Sequence, residues 1–394
     1  MNTKRNALLG AIFLMATSAI GPGFLTQTAN FTQQMGAAFA FAIIVSILID
    51  IAVQLNVWRV IGETRMRAQE LGNTLLPGLG WVLAVLIAIG GLVFNIGNIA
   101  GGGLGLNALL GLDPKIGGVI TALIAIVFFT SARLGVALDK LLVILGVLMM
   151  LLTLYVCVVA QPPVGTALKN SVWPESINLV VITTLVGGTV GGYITYAGAH
   201  KMLDSGETDL GNITKSSVTG ILLTGVMRIL LFLAVLGVVA GGVSLAEASN
   251  PAAAAFQSAA GDLGLRFFGV VLFAASLSSV IGASYTSASF LTKTDAGKKI
   301  QNTITIVFIL ISCGVFFFNG TAPKNLLIFA GAFNGLVLPI GFSIIIFIAI
   351  FRPRGLLRER RYPTWLIVVG LVALVIAYYL AFRSFSGVFD LLRH

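Results

Sequence analysis

The sequence predicts an all-α polytopic membrane protein with about eleven transmembrane helices, and three observations carry the prediction. The 394 residues are 57% hydrophobic and only 10% charged, a balance that soluble domains of this length do not sustain. The apolar residues gather in repeated runs of about eighteen or more, the length needed to cross a hydrocarbon core. Two of these runs are interrupted where a membrane helix is expected to be continuous, the first by Gly-Pro-Gly and the sixth by a cluster of glycines.

In chain order the expected spans are 8–33, 37–58, 79–109, 116–132, 139–160, 178–201, 217–241, 267–290, 302–318, 325–351 and 364–382. The first apolar run continues through its interruption for about 26 residues, too long for the core of a cleaved signal peptide. The loops alternate in charge. One side carries Lys4 and Arg5, then Arg59, Arg65 and Arg67, then Arg133 and Lys140. The same side later carries Lys201 and Lys215, then Lys293, Lys298 and Lys299, then Arg352, Arg354, Arg358, Arg360 and Arg361. The opposite loops hold only Lys115, Lys169, Arg266 and Lys324. This asymmetry accounts for the net charge of +10 without a nucleic-acid partner. It places the N-terminus in the cytoplasm and, with an odd number of spans, the C-terminus outside a cytoplasmic membrane. The loop at 242–266 is expected to hold a short helix capped near Ser249, Asn250 and Pro251.

The interruptions are the chemical centre of the chain. In span one, Gly21-Pro22-Gly23 removes a backbone donor and two side chains, so the helix should break through Gly21 to Phe24 and restart near Leu25. In span six, Gly187 to Gly192 should do the same, with a restart near Tyr193. A helix broken at membrane depth is tolerated only where protein or a watery cavity satisfies its backbone, and so points to a binding site. The pairing of first and sixth spans suggests one transmembrane domain over 1–394: one inverted repeat over about 8–160, a second over about 178–351, and an added helix at about 364–382. Gly-rich packing faces are the plainer alternative.

Several residues resemble the natural resistance-associated macrophage protein (NRAMP) transporters, which have the LeuT-like fold of the amino acid–polyamine–organocation superfamily. Gly21-Pro22-Gly23-Phe24 aligns with the family's Asp-Pro-Gly-Asn. Gln54 with Arg59 resembles its Gln-x4-Lys/Arg end of span two, and Leu106-Asn107 with Gly111 its ending of span three. Gly188-Thr189-Val190 followed by Tyr196 resembles the start of its span-six motif, and Leu338-Pro339 its Leu-Pro in span ten. The departures fall on the metal site that the resemblance implies. The family's Asp, Asn and Met ligand positions are Gly21, Phe24 and Gly191 here, and its span-six His aligns with Tyr193. Its acidic pair on span three aligns with Asn95 and Asn98, and its span-ten Gln with Gly331. A divalent ion needs carboxylate, imidazole or thioether ligands to replace its water shell, so no metal site is expected.

What remains suits an anion. A helix restart presents unpaired N–H groups and about half a positive charge. Gly21, Pro22, Gly23, Phe24, Thr26 and Gln27 on span one, with Gly191, Gly192 and Tyr193 on span six and Asn95 on span three, are the expected substrate-binding residues. Thr26, Gln27 and Thr28 are alternatively there to satisfy backbone at the break. Arg228, near the middle of span seven, is either a counter-charge for an anionic substrate or the partner of Asp50, the acid well inside span two. Asn98, Arg228, Asp50 and Asn334 are the expected coupling or gating residues, although asparagines also bridge helices. The run Gly101-Gly102-Gly103 with Gly105 follows no strand and is a close-packing face, not a phosphate loop. His200 is read as a hydrogen-bonded polar tip or a proton carrier.

The function expected is secondary active transport of a small organic carboxylate, in symport with a proton or sodium. Divergent sequences of this kind resemble those associated with 5-oxoproline (pyroglutamate) metabolism, which makes that compound the first substrate to consider. The rivals are a divalent transporter for manganese, iron or magnesium, and a passive pore or sensor. No nucleophile–base pair is visible and two His residues cannot build a His-based metal site, so neither an enzyme nor a cofactor is expected. Cys157 and Cys313 have no metal or disulfide spacing.

Overall fold

The computed structural model describes residues 12, 15–16, 18–130, 132–204, 206, 209–248, 250–294, 297–319, 323–351, 355–357 and 362–390. Lys4, Arg5, Ser249, Arg352, Arg354, Arg358, Arg360 and Arg361 lie outside the described residues, as does most of the first half of span one.

Helix α1, Pro22–Met35, follows a bend at Ile20 and Gly21. Its start corrects the expected restart near Leu25. Proline has no N–H to lose at the first helical position and its fixed φ suits that place, so Pro22 begins the helix. Gly21 supplies the extended corner before it, at φ −97° and ψ −174°. Gly36, at φ 54°, ends α1, and α2, Phe39–Thr64, runs back across the molecule. Then come α3, Ala68–Leu75, α4, Leu79–Leu110, and α5, Pro114–Thr130. Helix α6, Ala132–Ala160, is followed by α7, Val164–Val172, turned by 108°.

Span six is α8, Leu179–Gly187, an unwound stretch at 188–193, and α9, Ile194–Asp204. Helix α10, Leu210–Ala240, carries Arg228. Helix α11, Pro251–Phe290, is bent at Gly261, whose φ is 63°. Its first arm is the helix expected in the loop at 242–266, and Asn250 caps it by accepting from Ala253 N at 3.1 Å. Helices α12, Lys298–Asn319, α13, Pro323–Phe351, and α14, Thr364–Asp390, complete the chain.

Among the described residues each expected span overlaps a helix, span one through its second half, α1. Seven described stretches are long and apolar enough to cross a membrane unaided, with α1 and α2 counted together as Pro22–Thr64. The bent α6–α7 pair meets the same test when taken together, α5 is a shorter apolar helix, and α8 and α9 are the two short arms of the broken span six. Large apolar side chains point outwards, among them Leu48, Trp81, Val375 and Phe382, while Gln27, Asp50, Asn98, Arg228 and Asn334 are buried. That inversion is what lipid on the outside requires.

Helix α4 packs closely along α11. A Cβ on Gly105 would lie 2.6 Å from Phe273 N, and one on Gly269 would lie 2.7 Å from Leu109 N. The glycine run is therefore a packing face, as its lack of a preceding strand implied. The loops also sort by side. Arg67 reaches Asp204 and Thr292 on one face. On the other, Leu245 N donates to Gln33 and Lys324 donates to Ala246 O.

Candidate substrate site at the broken helices

The two breaks meet around Gln27. Its side chain is buried between the restart of span one, the unwound stretch of span six and span ten. Gln27 Nε2 donates to Leu327 O at 2.9 Å, which ties α1 to α13. A Cβ on Gly188 would lie 2.7 Å from Gln27 Oε1, and one on Gly331 would overlap Nε2. The absence of side chains at Gly188 and Gly331 thus makes the room that Gln27 fills.

Asn334 plays the matching part on span ten. Its Nδ2 donates to Ala330 O at 2.8 Å and more weakly to Gly90 O at 3.4 Å. Its Oδ1 lies where a Cβ on Gly192 would be. Gly192 has φ 54°, a conformation that side-chain-bearing residues rarely adopt, so this corner of span six requires glycine twice over. Gly191 packs on Gly187 and against the Asn334 carbonyl.

On the other side of the break, Asn98 Oδ1 is 3.4 Å from the position of a Cβ on Gly21, beside Ser279. The Tyr193 hydroxyl faces the Asn98 amide, and its ring meets Phe94 edge-on at 5.7 Å between centroids. Asn95, one turn earlier on α4, is placed differently. Its Nδ2 donates to Ser284 and Ser312 at 3.1 and 3.0 Å, bridging α4 to α11 and α12. The structure therefore brings Gly21, Gln27, Asn98, Gly192, Tyr193 and Asn334 to the breaks and gives Asn95 a helix-bridging contact. Thr26 is buried on α1, and Thr28 donates to Phe24 O within its own helix.

Arg228 reaches the same region from α10. Its guanidinium carbon lies 4.3 Å from the centroid of the Phe24 ring, at the start of α1. Phe24, Ser46, Asp50, Thr189, Thr224 and Arg228 line one small cavity with room for roughly one water molecule. Asp50 is the acid that acts on Arg228, and Arg228 the cation that acts on Asp50. Yet no hydrogen bond or ion pair within 4 Å joins them among the described residues. Asp50 Oδ1 and Arg228 Nε and Nη2 are buried without a hydrogen-bond partner there. Gln27 Oε1, Asn98 Nδ2, Tyr193 OH and Asn334 Oδ1 share that condition. Buried polar atoms normally find partners, so a cluster of unmatched ones marks a place for water or substrate.

Between the site and the basic loops lie contacts that sequence reading missed. Arg67, buried just beyond α2, donates to Ser289 O at 2.9 Å, Thr292 Oγ1 at 2.9 Å and Asp204 at 3.1 Å. Tyr285 donates to the other Asp204 oxygen. Glu70 of α3 accepts from Thr294, and His200 bonds Ser289 Oγ at 2.7 Å while accepting from Ala68 N. His200 is thus the hydrogen-bonded tip that one reading expected. These bonds clamp the ends of α9 and α11 onto α3. In sequence, Arg67 is one basic loop residue among many, and nothing local distinguishes it.

Two helices broken at membrane depth, around buried polar groups inside an apolar shell, define a secondary transporter of the broken-helix type. The chain belongs to the NRAMP family: the family model for natural resistance-associated macrophage protein-like proteins matches residues 12–386. It is 48% identical over 374 residues to the membrane protein YcsG of Bacillus subtilis, covering 94% of this chain and 91% of the relative. A membrane protein of Haemophilus influenzae is also 48% identical, over 377 residues, with 95% and 94% covered. Among solved structures, a manganese transporter of Eremococcus coleocola matches at TM-score 0.77 and 17% identity, with 97% of this chain and 86% of that one covered. The structure of MhsT in complex with L-phenylalanine matches at TM-score 0.64 and 16% identity, with 95% and 98% covered. These two likenesses show a shared fold.

Proposed function

We propose that this transporter moves a small organic carboxylate, with 5-oxoproline the first candidate, by alternating access in symport with a proton or sodium. Spans one and six, carrying the breaks, move against a scaffold that includes spans three and eight. The observation that carries the reading is Arg228 stacked on Phe24 where α1 restarts. A fixed guanidinium beside a helix N-terminus attracts a carboxylate and repels a divalent cation, and low dielectric strengthens both effects. Phe24 offers an apolar face to a small ring. Among the described residues, no three His, Cys, Asp or Glu side chains gather in one place. The bound L-phenylalanine of MhsT supports the reading to the extent that a transporter of this fold accommodates an organic acid. We further place the protein in the cytoplasmic membrane with its basic loops inside.

A second reading, a divalent metal substrate, is favoured by family membership and by the manganese transporter that shares the fold. It requires Gln27, Asn98, Asn334 and backbone carbonyls to supply ligands next to Arg228. A thermal-shift panel on purified protein separates the two. A ligand that binds the native state raises its apparent stability once its concentration exceeds its dissociation constant. Stabilisation by 5-oxoproline or another carboxylate, with none from manganese or magnesium, supports the organic-acid reading. Saturable stabilisation by manganese alone sinks it.

A further inference from the structure

We propose that Asp50 is the proton-coupling site, and that it works by masking and unmasking Arg228 as the anchor for the substrate anion. The proposal rests on the carboxylate reading above and goes beyond it in choosing the coupling ion. Its basis is the shared cavity. Both charges are buried at membrane depth, where an unmatched charge is costly and a second charge must compensate it. They face each other without an ion pair among the described residues; Thr189 is the polar side chain beside Asp50, while Asp50 Oδ1 and Arg228 Nε and Nη2 have no hydrogen-bond partner there. A directly bonded ion pair would be a structural fixture. A pair separated by a space for about one water can exchange its partner.

The groups facing Asp50 in this cavity are Phe24 from α1, Thr189 from the unwound part of span six, Thr224 and Arg228 from α10, and Ser46 from its own helix. Arg228 is the one charged or titratable group among them, so protonation of Asp50 changes the local charge balance outright. The step is a simple transfer: the Asp50 carboxylate accepts a proton through the one water that the cavity has room for and becomes neutral. Arg228 is then left with an uncompensated positive charge, which a substrate carboxylate neutralises. One proton and one anion enter together, so the site stays neutral when full and when empty. The walls join the site to both breaks: Phe24 belongs to broken span one and Thr189 to broken span six. Movement at either break therefore reaches the pair directly.

The test joins two measurements. In the first, 5-oxoproline affinity is measured against pH, over a range where the ligand stays ionised, for the wild type and for Asp50→Asn. Linkage of one proton to one anion makes wild-type Kd fall about tenfold for each unit of pH lowered while Asp50 is charged. In Asp50→Asn the dependence is lost, because the neutral amide imitates the protonated acid. Arg228→Lys, which keeps the charge, retains the dependence and serves if Asp50→Asn does not fold. The second measurement needs no substrate: infrared difference spectra of the protein in lipid, recorded between high and low pH. They show a protonated-carboxyl band in the wild type that Asp50→Asn lacks. Retained pH dependence in Asp50→Asn, or no band assigned to Asp50, overturns the proposal. If 5-oxoproline does not bind the wild type at all, the substrate reading fails by itself, and the infrared band alone decides the proton site.

Discussion

Arg228 and Phe24 meet as a cation over an aromatic face, 4.3 Å from guanidinium carbon to ring centroid, and so join span seven to the restart of span one. Desolvated contacts of this kind contribute about 2 kcal/mol. The position matters more than the energy, since it sets a positive charge at the end of a helix that is already partly positive. Arg228→Leu removes the charge and leaves Asp50 buried alone. Carboxylate affinity should fall by at least about tenfold, or roughly 1.4 kcal/mol, while Arg228→Lys keeps part of it. Titration calorimetry with 5-oxoproline checks the order wild type, Lys, Leu. Normal transport by a folded Arg228→Leu protein removes the counter-charge role.

Gln27 makes one bond across the breaks and leaves its other atom free for a ligand. Gln27→Ala removes the extra bond to the Leu327 carbonyl and empties the space between Gly188 and Gly331, a loss of about 0.5–1.5 kcal/mol for the bond alone. The variant should unfold at lower temperature and, combined with Thr26→Ala, should weaken carboxylate transport. Unchanged uptake kinetics in the double variant would mean the helix-end site is wrong.

Gly192 and Asn334 form a steric lock at the second break. Gly192→Ala demands a left-handed alanine and also overlaps Asn334 Oδ1, so it should destabilise the protein by about 2–5 kcal/mol. Adding Asn334→Ala relieves the overlap but not the backbone conformation. Thermal midpoints should therefore rank wild type above the double variant and the double variant above Gly192→Ala. Equal midpoints for wild type and Gly192→Ala would contradict this geometry.

Arg67 clamps the face that bears the basic loops through Asp204, Ser289 and Thr292. Arg67→Ala should favour the conformation open on that face. A cysteine placed at Thr26, in a Cys157→Ser and Cys313→Ser background, should then react several-fold faster with a polar maleimide applied from the basic-loop side. An unchanged rate shows that the clamp does not hold the site shut.

Much of the architecture was legible in the sequence because membranes impose a one-dimensional rule. Apolar run length gave the spans, and Gly21 to Phe24 and Gly187 to Gly192 marked the breaks. Asp50 and Arg228 stood out as charges where lipid does not accept them, and they do face one cavity. Two short helices, α3 and α7, escaped notice because they are too short and too polar for an apolar-run criterion. Asn95 and Asn98 were inseparable by spacing, since residues three apart share a helix face. Only the packing of α4 between neighbours sends Asn98 to Gly21 and Asn95 to Ser284 and Ser312. The Arg67 clamp was invisible for the same reason: its partners come from segments more than a hundred residues away, and charge pattern alone made it a loop cation.

Substrate flux distinguishes an anion site from a metal site at the two breaks. Purified protein in proteoliposomes would be offered radiolabelled 5-oxoproline and, separately, manganese, each with and without an inward proton gradient. The account predicts saturable 5-oxoproline uptake that the proton gradient accelerates, with manganese uptake no greater than in empty liposomes. Saturable manganese uptake without carboxylate transport would contradict it, and would mean that backbone and amide oxygens hold a divalent ion despite Arg228.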